Sequence, residues 1–395
     1  MSNSTQDSLL SKIKGLVQLK ISAGLDTFPE TLFKHNKEIE LLDLSDNNLT
    51  HLPDEIATFS NLKIIFLTNN CFETFPKILA KLPKLEMISF KSNRLTDIPE
   101  DVFPPLLKWL ILTDNKINKL PESIGNAVFL QKLMLAGNQL RALPDSFSKL
   151  QKLELLRISN NQISEFPLVL SKLASLRWLA FASNPFLNEK SSTTFKKIDW
   201  HSLEIGQQLG TGASGQTFQA WFKDNTTHKY AIKIYKNNNT SDGKVEDELS
   251  ALQKIGKTDF FPIVIAEVIN HPLGKKVILF ELIPEEYKAI ASPPDFSTCT
   301  RDIYEPNRTF TAKQASKILD KMKDALAYLH SINISHGDFY GHNILCNYLS
   351  DTILTDFGAA ADFSSLTETQ QNIIKKIELS AFDTFKTEIM SRTIV

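Results

Sequence analysis

Cysteine is scarce in this 395-residue chain: Cys71, Cys299 and Cys346 are three, far apart and odd in number. That excludes a disulfide framework and a zinc site of paired Cys-x-x-Cys type, and makes a reducing compartment the simpler setting. Charge of one sign is not in excess. Lys and Arg total 44 against 45 Asp and Glu, a net charge of -1, so no global basic surplus points to nucleic acid. Long apolar runs are also missing. The opening segment MSNSTQDSLLSKIKGL has no stretch of signal-peptide length. No run approaches the roughly 18 apolar residues of a membrane-spanning helix. The expectation is a cytoplasmic protein, with export by a route that leaves no such signal still open. Hydrophobic residues at 42% and charged residues at 23% are ordinary for a globular chain and exclude a mostly disordered or collagen-like one. At about 150 residues per domain the length predicts two or three domains.

What is there is first a repeat. Asn47, Asn70, Asn93, Asn115, Asn138, Asn161 and Asn184 recur at spacings of 23, 23, 22, 23, 23 and 23. Pro53, Pro76, Pro99, Pro121, Pro144 and Pro167 follow the first six, each by six residues. The frame around each asparagine is LxxLxLxxNxLxxLP, as in LQKLMLAGNQLRALP from Leu130 to Pro144. A degenerate copy over Leu16–Pro29 precedes them, and the last copy breaks after Asn184. The frame resembles the leucine-rich repeat, whose stacked units share one apolar core. Alternate strand positions then face a concave surface. There the pattern puts Phe66, Trp109, Ile111, Met134 and Trp178, where a solvated face would be polar. Either a protein partner binds this stripe or another part of the chain covers it, and partner binding is the preferred reading.

The second half has no period. NEKSSTTFKKIDW reads as a cap and linker, then short strand-like runs give way to long helical ones. Four motifs lie along it. Gly210-Thr211-Gly212-Ala213-Ser214-Gly215 sits between two strand-like runs, which favours a flap over phosphates above a dinucleotide turn, since the latter needs a helix directly after it. Lys233, on the strand that contains Ala231-Ile232-Lys233, can reach the α- and β-phosphates. Glu248 is placed to pair with it, with Glu246 and Asp247 as near alternatives. Glu248 is preferred because Leu249 and Leu252 follow it at packing spacing. In HGDFYGHN, Asp338 can accept the proton of an attacking hydroxyl. Asn343, five residues on, can offer magnesium an oxygen. Asp356, in Thr355-Asp356-Phe357-Gly358, would be the charged magnesium ligand.

In this order and at these distances the four motifs resemble the protein-kinase signature set, over roughly residues 200–383. With the repeats in front, the chain resembles bacterial leucine-rich-repeat-containing protein kinases. The resemblance implies a two-lobed fold with ATP and Mg2+ in the cleft. Leu209, Gly210, Gly212, Gly215, Thr217, Ala231 and Lys233 would line the nucleotide. Phe280 would be the gatekeeper, and the backbone from Glu281 to Ile283 would bind adenine. Three departures stand out. Gly337 replaces the arginine that usually precedes the catalytic aspartate and pairs with a phosphorylated loop. Tyr340 stands where a lysine usually helps neutralise the transferring phosphoryl group. No Ala-Pro-Glu motif follows the DFG motif. In IELSAFDTFKTEI, Glu378 takes the place of the usual aspartate of a buried helix, and Asp383 that of the usual glycine. The lower lobe therefore reads as shortened.

The expected architecture is an α/β leucine-rich repeat solenoid over residues 12–190, a linker over 191–199, and an α+β protein-kinase-like domain over 200–395 with a truncated C-lobe. The expected activity is ATP- and Mg2+-dependent phosphorylation of serine or threonine, with catalytic residues Asp338, Lys233 and Glu248 and metal ligands Asn343 and Asp356. The repeats would recruit a protein substrate or partner. A nucleotide-binding pseudokinase or scaffold, and a small-molecule phosphotransferase of the aminoglycoside or choline kinase type, are the alternatives.

Overall fold

The computed structural model describes residues 18–188, 194–212, 214–236 and 242–394. The expected start at residue 12, part of the 191–199 linker and Ala213 of the glycine motif lie outside them. Two compact units divide the chain. The first runs to Arg157 and adds Asn161–Leu176; the second holds Ile158–Asn160 and Arg177 onward.

In the first unit seven three-residue strands lie parallel in chain order: β1 (Gln18–Lys20), β2 (Leu41–Asp43), β3 (Ile64–Phe66), β4 (Met87–Ser89), β5 (Trp109–Ile111), β6 (Lys132–Met134) and β7 (Leu155–Arg157). The register advances by one whole repeat: Leu42 faces Ile65, Ile65 faces Ile88, and so on to Leu156. These central residues are fully buried, which is how units with no core of their own gain one by stacking. The asparagines stitch neighbouring turns. Asn70 Nδ2 donates to Leu44 O at 2.9 Å while its Oδ1 accepts from Leu49 N at 2.9 Å. Asn93 and Asn138 do the same one and three repeats on. The residue just before each asparagine is left-handed: Asp46, Asn69, Ser92, Asp114 and Gly137 have φ of 60, 53, 53, 58 and 70°. Only small polar residues and glycine take that conformation at little cost. Each proline then fixes the entry to a short 3-10 turn, as Pro53, Pro76, Pro121 and Pro144 do. Between Asn93 and Asn115, where the spacing drops to 22, no such turn follows Pro99 among the described residues.

Beyond Ile158–Asn160, the second unit takes in the strand of the last repeat, β8 (Trp178–Ala180). The cause is local packing: Trp178, Leu179 and Ala180 are all buried, and Trp178 is held by residues of this unit, as shown below. Next come β9 (Lys197–Asp199), β10 (Leu203–Thr211), β11 (Gly215–Phe222), β12 (Asn225–Tyr235), α1 (Val245–Ile255), β13 (Val264–Ile269) and β14 (Val277–Glu281). Their sheet runs β10-β11-β12-β14-β13-β9, antiparallel except where β9 joins β13. Its core is Leu203, Ala220, Ile232, Ala266, Val277 and Leu279. Two long helices follow, α2 (Ala312–Ser331) and α3 (Glu368–Met390), each opened by a threonine capping box. Between them short hairpin strands, Ile344–Cys346 and Thr352–Leu354, carry the loop chemistry. Among the described residues no helix is long and apolar enough to cross a membrane.

Candidate active site

The site is assembled from sheet, helix α1 and two loops of the second unit. The glycine turn joins β10 to β11, and Gly212 N closes it on Gly215 O at 2.9 Å. A side chain at Gly215 would sit 2.6 Å from Ile234 O, so only glycine lets β11 lie this close to β12. Gly210 and Gly212 have open space where a Cβ would be, and Leu209 beside them is exposed. Thr217 faces Gly210 on one side and Lys233 on the other. Ala231 faces Phe280 on β14. Glu281 N donates to Ile263 O at 2.9 Å, and Ile283 lies just past the strand, half-buried.

Below the glycine turn, Lys233 Nζ meets Glu248 Oε1 at 2.7 Å. Of the three acidic residues opening α1, Asp247 instead caps the helix, accepting from Lys244 N at 3.2 Å and from Ser183 Oγ at 2.9 Å. Both partners of the ion pair are buried, with side chains 15% and 3% exposed. Burial opposes the Lys233 charge, but the charges of Glu248 and Asp356 hold its pKa above the ordinary value. Burial also lifts the Glu248 carboxyl, against the pull of Lys233. The Asp356 charge favours the ammonium of Lys233 and, with burial, lifts the carboxyl of Glu248. Tyr235, fully buried two residues on, has its ring 4.7 Å from Lys233 Nζ; burial and the Glu248 charge push its phenol well up.

The loop after α2 holds the second group. His336 is fully buried and neutral, because burial lowers its pKa. Its Nε2 bonds to Thr355 O at 3.0 Å and its Nδ1 accepts from Asp338 N at 3.3 Å. Asn343 Nδ2 donates to Asp338 O at 2.9 Å and to Asp338 Oδ2 at 3.0 Å. The asparagine therefore orients the aspartate and turns its own amide oxygen elsewhere. Asp356 takes a left-handed φ of 61° and is exposed, while Phe357 beside it is buried against Phe261 and His336. Glu378 on α3 anchors the loop: its Oε1 accepts from His336 N at 2.7 Å and Gly337 N at 2.8 Å, and its Oε2 pairs with His330 Nε2 at 2.8 Å.

One expectation changes here. Trp178, expected on the face open to a protein partner, is only 2% exposed. Its Nε1 donates to Phe339 O at 2.9 Å and its ring stacks on Tyr340 with centroids 4.0 Å apart. It therefore drops out of the partner surface. Tyr340 in turn is 5% exposed and packs inward between Trp178 and His342, so it does not replace the missing lysine with another polar reach. Phe66, Trp109, Ile111 and Met134 of the first unit are half-buried on their strands. Sequence reasoning missed a buried network beside the loop. Asp302 accepts from His342 N at 3.1 Å and binds its Nδ1 at 2.7 Å, and Tyr304 donates to Glu388 at 3.0 Å. No spacing announces it, because its members come from three separate segments.

The donors fit a magnesium nucleotide. Among the described residues no cluster of three His, Cys, Asp or Glu side chains could hold a metal by itself. One carboxylate and one amide oxygen are the thin protein share that magnesium takes when phosphates supply the rest. Comparison with known proteins identifies the two kinds of domain. Residues 203–377 match the protein kinase domain model, 105–199 the leucine-rich repeat region model and 37–95 the leucine rich repeat model. MAP kinase-activated protein kinase 2 of Homo sapiens is 28% identical over 46% of this chain and 43% of its own. Aurora/IPL1-related protein kinase 2 of Caenorhabditis briggsae is 27% identical over 41% of this chain and 50% of its own. Leucine-rich repeat and calponin homology domain-containing protein 1 of Mus musculus is 35% identical over 23% of this chain and 13% of its own. The chain spans at most half the length of each of these relatives. The chain thus carries leucine-rich repeats followed by a domain that matches the protein kinase domain.

Proposed function

We propose that the second unit is an ATP- and Mg2+-dependent protein kinase that phosphorylates serine or threonine on a protein recruited by the repeats. The observation that carries this reading is the buried Lys233–Glu248 contact of 2.7 Å, with the Asp356 charge also acting on the ammonium. Such a pair costs several kcal/mol per ion in desolvation and is a poor device for stability alone. A phosphate beside Lys233 gives it a use. In this reading Lys233 grips the α- and β-phosphates, and Glu248 fixes the direction of its ammonium. The backbone of Gly210–Gly215 covers the phosphates, and Leu209, Thr217 and Ala231 line the adenosine. Glu281 N is committed to Ile263, so a base would take its backbone donor further on, at Ile283. Asp338, oriented by Asn343, accepts the proton of the attacking hydroxyl. Asn343 Oδ1 and the Asp356 carboxylate would hold Mg2+, which when bound neutralises charge on the β- and γ-phosphates.

Three cysteines, few and far apart in the sequence, fit a reducing, cytoplasmic setting. Phe66, Trp109, Ile111 and Met134 are the proposed partner contacts; failure of their alanine variants to weaken partner capture would remove that role. A second reading, a nucleotide-binding scaffold, is favoured by one observation: Tyr340 is buried where a cation would help the transferring phosphoryl group. Labelled ATP separates the two. A kinase transfers label to protein hydroxyls, whereas a scaffold binds ATP and transfers none. Transfer to a metabolite alone would point to a small-molecule phosphotransferase.

A further inference from the structure

We propose that the last repeat strand, Trp178–Ala180, is a built-in activating element: it holds the catalytic loop in the position that a phosphorylated loop would otherwise impose. The inference rests on the kinase reading above. Three consecutive residues grip the loop and its support. Arg177 Nε donates to Thr384 Oγ1 on α3 at 2.8 Å, on the helix whose Glu378 anchors the loop backbone. Trp178 donates to Phe339 O at 2.9 Å and stacks on Tyr340, the rings inclined by only 8°, with Arg301 lying 5.6 Å from the indole. Leu179 contributes to the absence of the arginine. Gly337 has φ +73°, and a Cβ there would lie 2.7 Å from Leu179 O and 2.5 Å from Ala359 O. The carbonyls of Ala359 and Leu179 together fill the space where any side chain at this position would start. An arginine that reads a loop phosphate is therefore excluded by both carbonyls and by the left-handed backbone, the docked strand supplying one of the two.

The short segment after the DFG motif is held by the same means. Ala361–Asp362 pairs with Ile334–Ser335. Lys254 Nζ meets Asp362 Oδ2 at 2.6 Å, and the Ser365 hydroxyl donates to Leu187 O just past the last repeat. The segment is held by a strand pair, a lysine–aspartate ion pair and a serine hydroxyl. Nothing in these contacts waits for a phosphate, so Trp178 acts as a positioning residue, through Phe339 and Tyr340, on Asp338.

The test uses the full chain with Trp178→Phe and Trp178→Ala. Steady-state kinetics give kcat and KM for ATP, and hydrogen exchange reports the amides of residues 338–343. The expected result for Trp178→Ala is a kcat lower by roughly tenfold or more, the scale of a small misplacement of a catalytic group. KM for ATP should stay within about twofold, because the Lys233–Glu248 pair sits on other elements. Exchange over 338–343 should speed up, Trp178→Phe should fall between, and phosphatase treatment of the wild type should change nothing. A folded Trp178→Ala with wild-type kcat and exchange overturns the inference alone, and a raised kcat does so too, since the strand would then restrain the site. If Trp178→Ala fails to fold, Trp178→Phe decides: it keeps an aromatic ring to stack on Tyr340, with less area, and loses the N–H donor. A wild type that binds ATP and transfers nothing overturns the kinase reading, and the inference with it.

Discussion

Glu248 and Glu378 show how much single carboxylates carry here. Glu248→Gln leaves the Lys233 ammonium buried without its partner, so burial then dominates and the lysine pKa drops. The expected cost is about 3–5 kcal/mol of stability, measurable by denaturant unfolding, together with weaker ATP binding. Glu378→Ala strands two buried N–H groups, at about 1–3 kcal/mol each, and frees the loop of Asp338. Glu388 gives a pH dependence. Burial, with the Asp302 charge beside it, pushes its carboxyl up to about 7 from 4.5. An acid raised in this way keeps its proton in the fold. Its contribution is fully present below about pH 4.5 and is lost as pH rises through about 7. Glu388→Gln should therefore flatten the decline in melting temperature between about pH 5 and about pH 8. An unchanged profile would show that this carboxyl is not the titrating group.

At the scale of elements the repeat is self-explaining. Asn138 gives Nδ2 to Leu112 O and Leu135 O and takes Ile117 N on its Oδ1. Asn138→Ala should cost about 2–4 kcal/mol in the first unit, since buried backbone groups lose their partners; a change below about 1 kcal/mol would mean that water replaces the amide. The asparagine and proline ladder was legible in the sequence because each copy repeats the same local demand. So was Glu248, since helical spacing alone puts it on the face that carries Leu249 and Leu252. The fate of Trp178 was not legible. Its repeat has the same frame as the others, and only contacts with Phe339 and Tyr340, some 160 residues later, bury it. The Asp302–His342 and Tyr304–Glu388 pairs were hidden for the same reason: they are non-local, and each member alone is an ordinary polar residue. Left-handed turns before each asparagine were visible only as a run of Asp, Asn, Ser and Gly whose meaning needs the backbone.

For the whole molecule the central claim is that the motifs of the second half form a working phosphotransfer site. Its parts depend on one another: the glycine turn, the lysine pair, the oriented aspartate and the two oxygen ligands come from different elements, and each has its partner within the second unit. The most direct measurement is transfer of label from ATP in the presence of Mg2+ by the full chain, beside Asp338→Asn and Asp356→Ala, with the acceptor residue mapped. The account predicts labelled serine or threonine with the wild type. It predicts a rate lower by roughly 10²-fold or more in Asp338→Asn, the share of a general base, while that variant still binds ATP. Transfer that survives Asp338→Asn undiminished, or a wild type that binds ATP and labels nothing, would contradict it.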